Sequence, residues 1–316
     1  MSNKALIVGS VVYDVIFAIH GNIKNELHIK EGEIQKISMM FTAKNKERYF
    51  GGTAGNIAYG LGLLGGNPIL HGVVGDDFLH DYKDHLEKHN VELRLKVQKG
   101  AYTSTFYGIS DEEYQQIGIF QPNVYYDFIE NLKLEDTLKE NDFNSIKYAI
   151  FSPGNGESTR NHMVELRNKL GKDVSIIFDP SQVLSILYKP DILKECLSHS
   201  DIFIGNDTEV NQLKTLFGYS IKDLLDLGLS YIIETRGADG SVVFSKDGEI
   251  NVDAVKPTKV VETTGAGDAF RSGLLYGLLN NKTVEESCKI GAYMGARNVE
   301  EYGGQLYKIN KKDLKF

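Results

Sequence analysis

The sequence predicts an α/β protein: a mostly parallel central sheet with helices on both faces and a small β-rich lid. Two observations predict it. Short apolar, β-rich runs alternate with amphipathic stretches, as strands joined by crossover helices do. Two segments, 15–50 and 98–124, interrupt that alternation; both read as strands and turns bearing aromatics, without helical period. The large domain then comprises 1–14, 51–97 and 125–316, and the lid comprises 15–50 and 98–124.

The elements follow in chain order. "ALIVGSVV" (5–12) opens the sheet as its first strand, and "PILHGVVG" (68–75) continues it before the helical pattern "FLHDYKDHLEKHN". After the lid come "YAIFSPG" (148–154), "VSIIFDP" (174–180), "DIFIGN" (201–206), "YIIETRG" (231–237) and "SVVFS" (241–245). Two helical patterns close the chain, "FRSGLLYGLLNN" and "VEESCKIGAYMGARNVEE". Several strands end in a polar residue: Ser152, Asp179, Asn206, Thr235. Ligand-binding groups of open α/β sheets gather at such carboxyl ends.

Composition narrows the function. The chain has 316 residues, 41% apolar and 25% charged, as a soluble globular protein does. The net charge of −8 and the lack of a Lys/Arg run argue against a nucleic-acid face, and "NKKDLK" reads as a solvated helix end. Cys196 and Cys288 lie far apart without metal-ligand spacing and read as free thiols in a reducing, cytoplasmic setting. No run resembles a signal peptide or membrane span, so the sequons at Asn206 and Asn281 read as chance matches.

Two glycine-rich stretches carry chemistry. In "ETTGAGDAF" (262–270), apolar residues at helical spacing downstream make Gly265–Asp268 the first turn of a helix. Its unpaired N–H groups, backed by the helix dipole, suit an anion, and Gly265, Ala266 and Gly267 form the cradle. Asp268 beside that cradle is either a base that deprotonates an attacking hydroxyl or a helix cap. The stretch "GGTAGNIAYGLGLLGG" (51–66) contains "GLGLLG", but a dinucleotide fingerprint must follow a strand, and here a helix is already under way. Read from its start, Gly51 and Gly52 admit a ligand close to the backbone, while Asn56 can bond hydroxyls; a tight turn before a packed helix is the other reading. No GxxxxGK[ST] loop occurs.

Taken together, "GGTAGNIAYGLGLLG" and "ETTGAGDAFRSGLLYG" resemble the two signatures of the ribokinase family, the phosphofructokinase-B type of carbohydrate kinases. The resemblance covers essentially the whole chain and implies a ribokinase-like three-layer sandwich transferring phosphoryl from ATP with Mg²⁺. "GSVVYDV" is similar to the family's first strand and loop, which implies substrate-side roles for Ser10 and Asp14. "GNDTE" resembles an Asn-x-x-Glu element, implying that Asn206 and Glu209 order Mg²⁺ and phosphate through water. "ETRGADG" resembles a nucleotide loop, with Thr235, Gly237 and Gly240 near the ATP phosphates. Asp268 falls on the catalytic base and Gly265–Gly267 on the anion hole. Arg271, one turn on, contacts a phosphate of the nucleotide or holds Asp268. A carboxylate at a helix start is expected to have a lowered pKa, making Asp268 a weak base. Some family members need a monovalent cation such as K⁺, and Glu262 and Thr264 lie in the corresponding region. Expected partners are ATP and a nucleoside or sugar, with a homodimer through the lid, and neither nucleic acid nor membrane.

The lid segment "STFYGISDEEYQQIGIFQP" resembles the bacterial and archaeal adenosine or nucleoside kinase subgroup, as do "FDPSQVL" and "MGARNVEEYGGQ". The acceptor implied is the 5′-hydroxyl of adenosine or a related purine nucleoside. Phe106 and Phe120, on two strands around a turn at Asp111–Glu113, could clamp a flat base; hairpin packing against the main domain is the alternative. The stretch Glu262-Thr263-Thr264-Gly265-Ala266-Gly267-Asp268-Ala269-Phe270-Arg271 is closer to the sugar-kinase form of the motif, which keeps a sugar or sugar-phosphate kinase as the second reading. A catalytically inactive regulator would have lost the acid or the glycines, and none is lost.

Overall fold

A computed structural model describes residues 3–26, 28–30, 33–36, 40–112, 116–124, 129, 131–310, 312 and 314. Its first strands are β1 (Lys4–Val8), β2 (Val12–Ile19), β3 (His28–Lys30), β4 (Glu33–Lys36) and β5 (Ala43–Gly51). Then come β6 (Ile69–Gly75), β7 (Glu92–Gln98), β8 (Thr105–Ser110), β9 (Gln116–Gln121) and β10 (Ile146–Phe151). The last are β11 (Ser175–Phe178), β12 (Ile202–Asn206), β13 (Tyr231–Thr235), β14 (Ser241–Ser245) and β15 (Gly248–Val252). The longer helices begin with α1 (Thr53–Leu64), α2 (Tyr82–Lys88), α3 (Gly156–Leu170) and α4 (Pro190–His199). They continue with α5 (Asp207–Phe217), α6 (Ile221–Asp226), α7 (Ala266–Leu279) and α8 (Val284–Asn298).

One nine-stranded sheet runs β15-β14-β13-β12-β11-β10-β1-β6-β7. From β13 to β7 every neighbouring pair is parallel, and β14 and β15 are antiparallel at one edge. Side chains alternate between two cores. Ala5 and Ile7 of β1 pack with α1, α2, α7 and α8, whereas Leu6 and Val8 pack on the side of α3, α4, α5 and α6. On β12, Ile202 and Ile204 face the first core and Phe203 the second. Each buried Val, Leu, Ile or Phe among them gains about 1.5–3 kcal/mol, and a one-residue slip would reverse every assignment. The result is a three-layer, ribokinase-like α/β sandwich.

A second sheet, ordered β5-β2-β8-β9, draws on both segments that broke the alternation. The apolar run 5–12 is not one strand: β1 ends at Val8 and β2 opens the second sheet at Val12. Both pieces are buried, so hydrophobicity does not mark the crossing. Accordingly Val12–Asp14 and Gly51, assigned by sequence to the large domain, belong to strands of the smaller sheet. Strand β7, whose Leu93, Leu95 and Val97 alternate with charged residues, had not been read as a strand. The "GLGLLG" run lies inside α1, and Gly65 caps its C-terminus with φ 80°. Glu113 of the hairpin turn and parts of "NKKDLK" lie outside the described residues. Cys196 and Cys288 are buried free thiols, both pushed up to about 12 by burial. Among the described residues no helix is long and apolar enough to cross a membrane.

Candidate active site

A cavity of about 1100 Å³ follows the carboxyl ends of β1, β10, β11, β12 and β13 and is bounded by one face of the smaller sheet. That face is one period-2 set. Val12, Asp14 and Ile16 of β2 line it, with Phe106 of β8 and Gly118 and Phe120 of β9. Register aligns four residues in a single row across the sheet. Tyr49 pairs with Asp14, Asp14 with Phe106, and Phe106 with Phe120. All four line the cavity.

The two phenylalanines are therefore immediate cross-strand neighbours on one face. Their strands lie about 4.8 Å apart, so the two rings, expected as a clamp, rise side by side from one face of one sheet. Phe106 lies against Gly118, and with the 43% exposed Phe120 it makes a side-by-side aromatic wall. Gly51 does not line the cavity; a Cβ there would come within 2.1 Å of Asp14 Oδ2, so its role is to make room for that carboxylate.

Opposite this wall, α7 begins. Gly265 caps it in the left-handed region (φ 82°), and its backbone passes so close to Gly304 that a Cβ would fall 2.9 Å from Gly304 Cα. Gly265, Gly267 and Asp268 line the cavity, but Ala266 does not; its N–H donates to the Thr263 carbonyl at 3.3 Å. Asp268 Oδ2 accepts from Asn56 Nδ2 at 2.8 Å. Asn56, expected to bond substrate hydroxyls, commits this N–H to Asp268 and also lines the cavity.

The expected lowering of the Asp268 pKa is overturned. Crowding protein pushes its carboxyl up to about 7, outweighing the Asn56 donor and the Arg271 charge, which both favour ionisation. Asp14 is likewise raised to about 7, first by burial and then by the charges of Glu262 and Asp268. Both carboxylates keep partial contact with the open cavity.

Arg271 lines the cavity, and its charge favours ionised Asp268, but its hydrogen bonds go elsewhere. Its Nε and Nη2 form a two-pronged pair with the Asp179 carboxylate, and Nη1 donates to the Gly267 carbonyl at 3.0 Å. Asp179 at the end of β11 is fully buried, so this pair ties the start of α7 to the sheet. Sequence reading had marked Asp179 only as a polar strand end.

The other end of the cavity is formed by Asn206, Glu209, Thr235 and Gly237. Asn206 Oδ1 accepts from the Glu209 N–H and Glu209 Oε2 from the Asn206 N–H, each at 2.8 Å, a reciprocal cap on α5. Burial raises the Glu209 pKa. Thr235 Oγ1 donates to the Gly205 carbonyl at 3.4 Å. Gly240 is away from the cavity, where its carbonyl accepts from the Arg236 N–H at 2.8 Å to close a turn. Ser10 and Gly52 line the cavity near the smaller sheet. Tyr49, Tyr82 and Gln305 had not been read as site residues. Tyr49 lies two residues before Gly51 and Gln305 ends the run "MGARNVEEYGGQ", whereas Tyr82 carried no signal in the sequence.

Comparison with known proteins agrees with this architecture. The model of the pfkB family carbohydrate kinases matches residues 3–311. A nucleoside kinase of Methanocaldococcus jannaschii is 28% identical over 260 residues, 82% of each chain. An ATP-dependent 6-phosphofructokinase of Thermoanaerobacterium thermosaccharolyticum is 29% identical over 281 residues, 83% of each chain. The structure of Burkholderia thailandensis nucleoside kinase in complex with inosine aligns with a TM-score of 0.83 at 28% identity, over 98% of this chain and 95% of that one. The chain belongs to the pfkB family of carbohydrate kinases, phosphotransferases with an alcohol group as acceptor.

Proposed function

We propose that the protein transfers the γ-phosphoryl group of ATP to the 5′-hydroxyl of a nucleoside, adenosine or a related purine nucleoside. The observation that carries this reading is the row Tyr49–Asp14–Phe106–Phe120. A carboxylate that accepts hydroxyl hydrogen bonds sits one strand from an aromatic wall, so a sugar bonded at Asp14 brings an attached flat ring against Phe106 and Phe120. The solved relative in complex with inosine supports it by likeness.

In this reading Asp268 takes the proton of the acceptor hydroxyl. A carboxyl raised to about 7 is a stronger base than an ordinary aspartate and still half ionised at neutrality. The N–H groups at the start of α7 stabilise charge on the migrating phosphoryl group. Thr235 and Gly237 receive the nucleotide phosphates. Among the described residues no cluster of three or more His, Cys, Asp or Glu could hold a metal, which suits an ion carried by the triphosphate. Mg²⁺ bound that way would neutralise phosphate charge, and Glu209 is the carboxylate that would help to hold it.

A sugar kinase is the second reading, favoured by the form of the stretch from Glu262 to Arg271. A sugar phosphate fits less well. The cationic side chains lining the cavity among the described residues are Arg236 and Arg271, paired with Glu234 and Asp179, while Asp14, Asp207, Glu209, Glu262 and Asp268 line it with carboxyl groups. Adenosine, inosine, guanosine, cytidine, ribose, fructose and fructose 6-phosphate, each with Mg-ATP in a coupled ADP-release assay, test the proposal. The highest kcat/KM is expected for a purine nucleoside; a preference for ribose or fructose replaces it with the sugar reading.

A further inference from the structure

A polar chain runs from the smaller sheet to the catalytic carboxylate, and its direction is fixed at the far end. The Gly51 carbonyl, at the end of β5, can only accept. Tyr82 donates its hydroxyl to that carbonyl at 2.7 Å, which leaves the Tyr82 oxygen to accept. Gln305 Nε2 donates to this oxygen and, with its second hydrogen, to Asn56 Oδ1 at 2.9 Å. With its oxygen so engaged, Asn56 presents Nδ2 to Asp268. Tyr82, Gln305 and Asn56 are 0%, 2% and 5% exposed, so bulk water does not compete for these bonds. An asparagine turned end for end has nearly the same shape, but it would aim an oxygen at the carboxylate and repel it.

We propose that Gln305 is a positioning residue for phosphoryl transfer: it sets the direction of the Asn56 amide and so keeps a hydrogen-bond donor on Asp268. The proposal rests on the reading of Asp268 as the base. The Asn56 donor favours the ionised carboxylate against burial. Loss of the Gln305 amide should let Asp268 hold its proton to higher pH. Of the other groups that face Asp268, Arg271 on its own helix, Asp179 behind it, Tyr82 on α2 and Tyr307 in the C-terminal segment keep their charge state, whereas Asp14 on β2 also titrates near 7. Its contribution is common to wild type and variant, so the shift is read as the difference between the two profiles. His85, which faces Gln305, is pushed down to about 4 and stays neutral over the range tested.

The test is the pH profile of kcat/KM with Mg-ATP for wild type, Gln305→Met, Asn56→Ala and the double variant. Gln305→Met should move the acid limb up by about one unit, a tenfold loss near pH 6 that largely disappears above pH 8. On the Asn56→Ala background it should add no further shift, because its action runs through that amide. An equal loss at every pH, or a shift that adds fully to that of Asn56→Ala, overturns the proposal. Should thermal unfolding show Gln305→Met to be misfolded, Tyr82→Phe decides. It removes only the hydroxyl that fixes the Gln305 amide and should move the limb the same way by less; an unmoved limb overturns the proposal. Asp268→Asn separates the two levels. Near wild-type turnover in that variant removes the base assignment, whereas an inactive Asp268→Asn with an unmoved limb in Gln305→Met removes the positioning role alone.

Discussion

Replacing Asp268 with asparagine should stabilise the fold and abolish most turnover, and the two effects should separate with pH. The folded-state pKa is raised from 3.8 to about 7, so the folded protein holds this proton where the unfolded chain has released it. Stability therefore falls as pH rises from about 4 to about 7, and the penalty is fully present above 7. Three pKa units set a ceiling of about 4 kcal/mol. Partial contact with the cavity screens the charge, which leaves about 1–2 kcal/mol for the substitution to recover. Asparagine keeps an oxygen for the Asn56 donor, so the gain is not offset by a lost hydrogen bond. At roughly 2 °C per kcal/mol for a chain of this size, Tm should rise by about 2–4 °C at pH 8 and hardly at all near pH 4. Scanning calorimetry at both pH values measures the difference, and the coupled assay should register a loss of at least ~10²-fold in kcat. A Tm gain independent of pH would refute the argument that ionised Asp268 is strained. Retained turnover would refute its role as base.

Asp14→Ala should raise the acceptor KM by about 5- to 150-fold, the loss of 1–3 kcal/mol, with the KM for ATP nearly unchanged. In the wild type the acceptor KM should fall as pH rises through about 7, where Asp14 ionises; equal loss for both substrates would mean a damaged fold. Phe106→Ala or Phe120→Ala should raise nucleoside KM by a similar factor but leave ribose turnover nearly alone, since ribose has no base to stack. Arg271→Met should leave Asp179 buried without its partner and destabilise the protein by about 3–5 kcal/mol, read as a fall in urea midpoint. Adding Asp179→Asn should restore part of that loss.

The sheet and the start of α7 were legible because they rest on local pattern. Strand ends at Ser152, Asp179, Asn206 and Thr235 follow from apolar runs that stop at a polar residue, and Gly265 is required by a left-handed backbone. What local pattern cannot carry is register between distant segments. The alignment of Tyr49, Asp14, Phe106 and Phe120 depends on three strand pairings, so local pattern could not place the two rings beside Asp14 in one row. Arg271 finds Asp179 across 92 residues, which a one-turn spacing from Asp268 could not foretell. The direction of the Asp268 pKa was missed for a physical reason. A helix dipole acts within one turn and is modest, whereas desolvation scales with everything packed around the group.

The parallel sheet also works as a ruler. Thr235, Asn206, Asp179, Pro153 and Ser10 stand at or just beyond the ends of five neighbouring strands, β13, β12, β11, β10 and β1. At about 4.8 Å per strand they span about 19 Å, and no loop length enters that figure. The length of the cavity along the strand ends is thus written in strand count. On the proposed function, replacing residues on the wall of the smaller sheet can change which acceptor is chosen. It cannot change the spacing of the strand ends along which both substrates must lie.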